Sequence, residues 1–152
     1  MKSHKISAVL QMPPTSNNIY TTVRNRRIKT TEARSWQTRA VKEIMRQSGL
    51  SIQDEFDQDR MYRLDLHFYF DRVINKGWSE RYLKGPKKGQ RKAENKWKKI
   101  DLGNRLKLLE DTVRNAVGVD DSSTFILHLV KGCDPGKERV SVQMYSIEEE
   151  CP

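Results

Sequence analysis

The residues whose chemistry stands out are Asp101, Asn104, Lys107 and Asp111, followed after a short gap by Asp120-Asp121. At about 100° per residue, Asn104, Lys107 and Asp111 fall in one narrow arc of a helix, with Asp101 about a sixth of a turn further round. A return of the chain across a sheet would bring Asp120-Asp121 back towards Asp101 and Asp111. Clustered carboxylates suit a hard cation such as Mg²⁺. A cation so held generates a hydroxide and neutralises charge developing on a phosphate, and a lysine stabilises the transition state or the leaving oxygen. Lys107 has that chemistry. The same residues also suit structural work: Lys107 and Asp111 as an i,i+4 ion pair, Asp101 as an N-cap, and Asp120-Asp121 as a turn after Gly118. Spacing alone leaves both open.

A second signal is charge. The chain carries 29 Lys and Arg against 20 Asp and Glu, for a net +9. Between Asp71 and Lys99 lie eleven basic and three acidic residues, so this one stretch holds +8 of that total. Charge so concentrated points to an anionic polymer as partner. Gly77, Gly85, Pro86 and Gly89 punctuate the stretch as a loop or mobile arm, and Trp78, Tyr82 and Trp97 are interleaved with its cations. Phosphate contact with base stacking fits that mixture. A solvated insertion that only aids solubility is the plainer alternative, and the three large aromatics argue against it.

The elements that must position these groups follow from hydropathy. At 152 residues the chain is read as one domain, 1–152, with the basic arm at about 71–99. Lys5 to Met12 reads as a strand with Ile6, Ala8 and Leu10 on one face, stopped by Pro13-Pro14, and Thr15 to Asn18 as a turn. From Thr31, as N-cap, Ala33, Trp36, Ala40, Val41, Ile44 and Met45 recur at helical spacing up to Gly49. Leu64, Leu66, Phe68 and Phe70 alternate with polar residues as a half-buried strand. Leu102, Leu106, Leu109, Val113, Ala116 and Val117 form the apolar stripe of a second helix closed by Gly118. The remaining alternations, Thr124 to Val130 and Val140 to Met144, predict a terminal hairpin. The expected architecture is α/β (α+β): two helices packed on one face of a small mixed four-stranded sheet.

Lys99-Ile100-Asp101-Leu102-Gly103-Asn104-Arg105-Leu106-Lys107, with Glu110-Asp111 and Asp120-Asp121 after it, resembles the core motif of the RusA family of Holliday junction resolvases. Pro13-Pro14-Thr15-Ser16-Asn17-Asn18-Ile19-Tyr20 is similar to that family's N-terminal Pro-Pro-x-x-Asn-Asn-x-Tyr signature. The resemblance implies a homodimeric, Mg²⁺-dependent endodeoxyribonuclease that binds four-way junctions and nicks two opposing strands symmetrically, in DNA recombination and repair, commonly encoded by phages and prophages. Mn²⁺ is a possible substitute metal. Carried over by position, Asp101 matches the first acid of the family's Asp-x-Asp-Asn motif, Lys107 its essential lysine, Asp121 the essential acid of the Asp-Asp pair, and Asp111 a further acidic position. Gly103 stands where the family has a second metal-binding Asp, so Asp111 and Asp120 are expected to complete the set. The catalytic group is then Asp101, Lys107, Asp111 and Asp121, and the metal ligands Asp101, Asp111, Asp120 and Asp121.

The expected DNA contacts are Asn17, Asn18, Arg24, Arg26 and Arg27 near the Pro-Pro loop, and Lys87, Lys88, Arg91, Lys92, Lys96, Lys98 and Lys99 on the arm. Trp78, Tyr82 or Trp97 would stack on unpaired bases. Leu108, apolar on the polar side of its helix, is the expected dimer contact. Cys133 and Cys151 are read as free thiols, and His4, His67 and His128 are given no catalytic role. No small-molecule cofactor and no membrane are expected, and the compartment is read as the cytoplasm. The alternative is a noncatalytic junction or nucleic-acid-binding protein of the same fold, with Gly103 marking a decayed metal site.

Overall fold

The computed structural model describes residues 5–51 and 56–147; His4 and Cys151 lie outside them. The strands are β1 (Lys5–Gln11), β2 (Tyr20–Val23), β3 (Arg26–Lys29), β4 (Met61–Phe70), β5 (Thr124–Cys133) and β6 (Arg139–Ile147). The helices are α1 (Thr31–Ser48) and α2 (Gly103–Val117). Strands β1, β6, β4 and β5 form a mixed sheet in that order, with β4 and β5 parallel and the other pairs antiparallel. The expected α+β architecture of two helices on a mixed four-stranded sheet is the one observed.

Period-2 hydropathy sets the register. Ile6, Ala8 and Leu10 of β1, Leu64, Leu66, Phe68 and Phe70 of β4, and Val140, Val142 and Met144 of β6 are all buried. They form one continuous layer under the helices with Trp36, Ile44, Leu109 and Val113.

The terminal hairpin is not formed. β5 and β6 flank β4 on opposite sides, because α2 is a crossover that returns the chain parallel to β4 and the next link then passes around the end of β4. That link is fastened to the strand it rounds. The Asp134 N–H donates to the Phe70 carbonyl at 2.9 Å, and the Gly136 N–H to Asp71 Oδ1 at 2.6 Å.

Two smaller expectations shift. The N-cap of α1 is Thr30, not Thr31; its hydroxyl accepts from the Ala33 N–H at 3.1 Å and donates to the Asn18 carbonyl at 2.6 Å. Leu108 is fully buried, so it offers no contact to another molecule. α1 packs along the flank of α2, which widens the buried arc beyond the stripe a sheet alone would cover.

The segment between α1 and the Pro-Pro loop adds an element, the ribbon β2–β3, whose two-residue turn Arg24-Asn25 has φ of 47° and 60°. Left-handed angles at both positions make a tight hairpin turn, at a cost of roughly 1 kcal/mol or more for Arg24. No helix among the described residues is long and apolar enough to cross a membrane.

Candidate active site

Lys107 lies on the midline of the exposed face of α2, with Asp111 and Glu110 to either side of it. Asp111 faces the ribbon. Its carboxylate pairs with Lys29 Nζ at 2.8 Å and Arg114 Nη2 at 3.6 Å, so the i,i+4 pairing with Lys107 gives way to a tie between α2 and β3. A second tie runs from Arg27 Nη2 to Asn104 Oδ1 at 2.9 Å, with the Arg27 guanidinium 4.4 Å above the Tyr20 ring. Lys29 and Arg27 therefore hold the ribbon on the helix face.

The other flank gathers acid. Burial raises the Glu110 pKa above the ordinary carboxylate value, and the nearby charges of Asp121 and Asp111 raise it further, while Lys107 works the other way. Asp120 shifts down, through hydrogen bonding with Asp121 and the Ser122 N–H, which it accepts at 3.1 Å. Glu110 is thus the acid that joins Lys107 to the Asp-Asp turn. Position 110 sits at the border between the apolar stripe and the polar face, so only the return of Asp121 reveals its role.

That return is fixed by Gln58. Its side-chain oxygen accepts from the Asp120 N–H at 3.3 Å, its amide donates to the Gly118 carbonyl, and its own carbonyl accepts from the Ser123 hydroxyl at 3.1 Å. Gln58 precedes β4 and carried no sequence signal, since its partners lie sixty residues away.

Asp101 starts the other end of the helix. Leu102 is the N-cap residue, and Asp101 Oδ1 accepts from the Gly103 N–H at 2.8 Å. A Cβ at position 103 would stand 3.2 Å from that same oxygen. Asp101 opens into a cleft of about 290 Å³ with Thr15, Asn17, Arg72, Lys98, Lys99, Arg105 and Glu138. Arg72 and Arg105 were not among the expected DNA contacts. Burial lowers the Arg105 pKa, and its Nε donates to the Pro14 carbonyl at 3.1 Å, which anchors the Pro-Pro loop to α2.

Asn17 lines this cleft and also a neighbouring one of about 220 Å³ with Tyr20, Thr21, Thr22, Arg27 and Asn104. The Pro-Pro-x-x-Asn-Asn stretch places an amide between two polar clefts. Asn18 turns back, its N–H donating to the Thr15 carbonyl at 2.8 Å.

The four expected metal ligands do not converge: among the described residues no three Asp, Glu, His or Cys side chains come together to hold one ion. Lys107, Glu110, Asp111 and Asp121 form one electrostatic group, with Asp120 joined to it through Asp121, and Asp101 lies in the basic cleft. Mg²⁺ commonly takes one or two carboxylates and fills its shell with water and phosphate oxygens, so the neighbouring Glu110 and Asp121 fit such an ion.

The basic arm is a folded hairpin without regular strands. Its root is closed by the Lys98 N–H to the Val73 carbonyl at 2.9 Å and the Asn75 N–H to the Lys96 carbonyl at 2.8 Å. Its middle is held by Lys92 and Glu80 at 3.2 Å and by the Arg91 guanidinium 3.8 Å above the Trp78 ring. Lys96 Nζ lies 5.0 Å above Trp97, which is well exposed. Lys87 and Lys88 sit at the tip; Lys98 and Lys99 face the Asp101 cleft. Arg24 and Arg26 are exposed at the free end of the ribbon. His67, stacked on Tyr69 at 4.0 Å, and His128, 3.7 Å from Asp65, lie on the sheet face away from the helices. Cys133 is a free, exposed thiol.

A family model described as Endodeoxyribonuclease RusA matches residues 11–145, which takes in both motifs, the arm and the carboxylate group. No curated protein matches the chain.

Proposed function

The chain belongs to the RusA endodeoxyribonuclease family, and on that premise we propose that it resolves four-way DNA junctions by nicking two opposed strands symmetrically, in recombination and repair. The observation that carries this reading is that α2 joins an acidic group to a basic cleft. Lys107 and Glu110 lie on α2 with Asp121 near them beyond its end, and Asp101, just before the start of α2, opens into a cleft lined by Arg72, Lys98, Lys99 and Arg105.

The four cations of the cleft and Asn17 bind backbone phosphates. The arm root extends that grip, and Arg24 and Arg26 reach a neighbouring phosphate from the ribbon tip. Lys107 stabilises charge building on the phosphate under attack. Asp111, neutralised by Lys29, keeps the ribbon and hence Asn17 in place. Glu110 and Asp121, with Asp101 and Asp120 close to the bound strand, would hold Mg²⁺ or Mn²⁺. When bound, that ion neutralises phosphate charge and lowers the pKa of water. Carboxylates crowded together beside a polyanion repel it, which is the condition a cation relieves.

Symmetric nicking calls for two sites related by a two-fold axis, and hence a homodimer. β5 supports one. It is an edge strand of the sheet with Phe125 at 63% exposure and Ile126, Leu127 and Leu129 each near 40%. A second copy laying its β5 alongside would cover this surface and pair the open edge.

Gly103 favours the rival reading, a junction binder without cleavage. A cleavage assay on immobile and mobile four-way junctions in Mg²⁺ separates them. Paired nicks are expected from the wild type, with Lys107→Ala at least about 100-fold slower and Asp101→Asn also impaired. Tight junction binding with no nicks in Mg²⁺ or Mn²⁺ would overturn the nuclease reading.

A further inference from the structure

The tip of the basic arm is a built loop. The Tyr82 N–H donates to the Gln90 carbonyl at 3.0 Å and the Gly89 N–H to the Tyr82 carbonyl at 2.8 Å, closing the chain at its neck. Inside that neck the Lys88 N–H donates to the Gly85 carbonyl at 3.1 Å around Pro86, and Gly85 and Gly89 take φ of 81° and 83°. Left-handed angles at both positions require glycine, so the shape is set by the chain itself. Arg81 Nη1 donates to the Gly89 carbonyl at 2.6 Å and fastens the neck from the side.

The six residues outside the neck are Leu83, Lys84, Gly85, Pro86, Lys87 and Lys88. Three are cations and one is a large apolar side chain. Leu83 is 81% exposed, more than any other large apolar residue described. A leucine in that setting gains nothing from the fold, and the arm's Trp78 is already covered by Arg91. Ammonium groups on both sides select a polyanion, and what an apolar side chain meets between the phosphates of a polyanion is the stacked bases. Apolar side chains inserted at base steps unstack and kink duplexes, at a cost of a few kcal/mol per step that falls where stacking is already broken. A branch point is such a place.

We propose that the arm tip is a wedge: Leu83 enters the base stack at the branch point while Lys84, Lys87 and Lys88 hold the flanking phosphates. This rests on the junction reading above, and adds to it a residue that selects branched over continuous duplex. The selectivity is energetic, since an intact stack resists the insertion that a junction crossover admits.

The test uses the full chain without divalent metal and a four-way junction carrying 2-aminopurine beside the branch point, at saturating protein. A fluorescence rise of several fold is expected with the wild type. Leu83→Ala should lose at least two-thirds of it and Leu83→Phe should retain it. Lys84, Lys87 and Lys88 changed together to Gln should flatten the dependence of log K on log salt by about 2 to 3. Leu83→Ala giving the wild-type rise would overturn the wedge and leave the nuclease reading intact, provided the same preparation nicks the junction in Mg²⁺. Loss of salt slope in the lysine variant with no fluorescence rise in the wild type would show a phosphate clamp only, and would likewise overturn it. Failure of the wild type to bind the junction at all would sink both readings together.

Discussion

The two edges of the sheet are treated oppositely. At β1 the helix behind it closes the edge with side chains: Gln47 accepts from the Val9 N–H and donates to the Val9 carbonyl, both at 2.8 Å. Ser48 accepts from the Ser7 N–H at 3.1 Å and donates to the Ser7 carbonyl at 3.3 Å, and Trp36 Nε1 donates to the Gln11 carbonyl at 3.2 Å. Ser7 and Val9 thus have both outward backbone groups satisfied, and Gln11 its carbonyl. At β5 no side chain does this among the described residues, and apolar groups stand in the open. The crowded carboxylates lie on that same side, where Glu110, Asp120 and Asp121 border Thr124 at the start of β5. One half of the molecule is finished for water, and the other keeps apolar and like-charged groups that only a partner, a cation or a substrate would satisfy.

The largest test of this contrast is a charge on the open edge. Leu127→Lys should weaken the proposed dimer by at least about 100-fold, since each copy would bury an unpaired ammonium, and should turn paired nicks into single ones. Sedimentation velocity and the junction assay would show it, and an unchanged dimer would mean that β5 is not the interface. On the closed edge, Gln47→Ala removes two hydrogen bonds at once and should cost about 1–3 kcal/mol in a urea melt, with oligomeric state untouched. A smaller and opposite effect is expected at Glu110. Its pKa is raised in the fold, so its ionised form is penalised there. That penalty is absent below the ordinary Glu pKa and grows as pH rises through the folded value. At neutral pH Glu110→Gln should therefore raise Tm, by on the order of 1 °C because the carboxyl still reaches solvent, while impairing cleavage. No gain in stability at neutral pH, or the same gain at pH 3, would contradict it.

What the sequence made legible depended on whether a signal was local. Alternation from Leu64 to Phe70 needs only two-residue periodicity, and that strand was readable at once. Periodicity says that Thr124 to Cys133 is a strand but not which strand it joins, and the expected hairpin with β6 gives way to a parallel pairing with β4. The intervening helix α2 held the answer, because a strand, a helix and a strand usually make a parallel pair. The ribbon from Tyr20 to Lys29 leaves no hydropathy signal, because its residues are almost all exposed and carry no apolar alternation. Asp101, Lys107 and Asp121 were readable as motif positions. Glu110 stands in the same motif without a role that sequence assigns, and Gln58 carries no signal, because what each does depends on the return of residues 118–123 to its side.

The sheet order also bears on synthesis. Among the described residues β1 pairs only with β6, which follows it by more than a hundred residues, with Lys5 facing Tyr145 and Gln11 facing Arg139. β6 is also central, buried between β1 and β4. While the chain is still growing, the hydrophobic layer lacks its middle and the sheet lacks its closure. A nascent chain that has all of the Lys107 and carboxylate residues, but not yet Arg139 to Ile147, should lack a stable fold to hold them. A fold whose two ends must meet before either is stable keeps the carboxylate site unassembled until translation has passed β6.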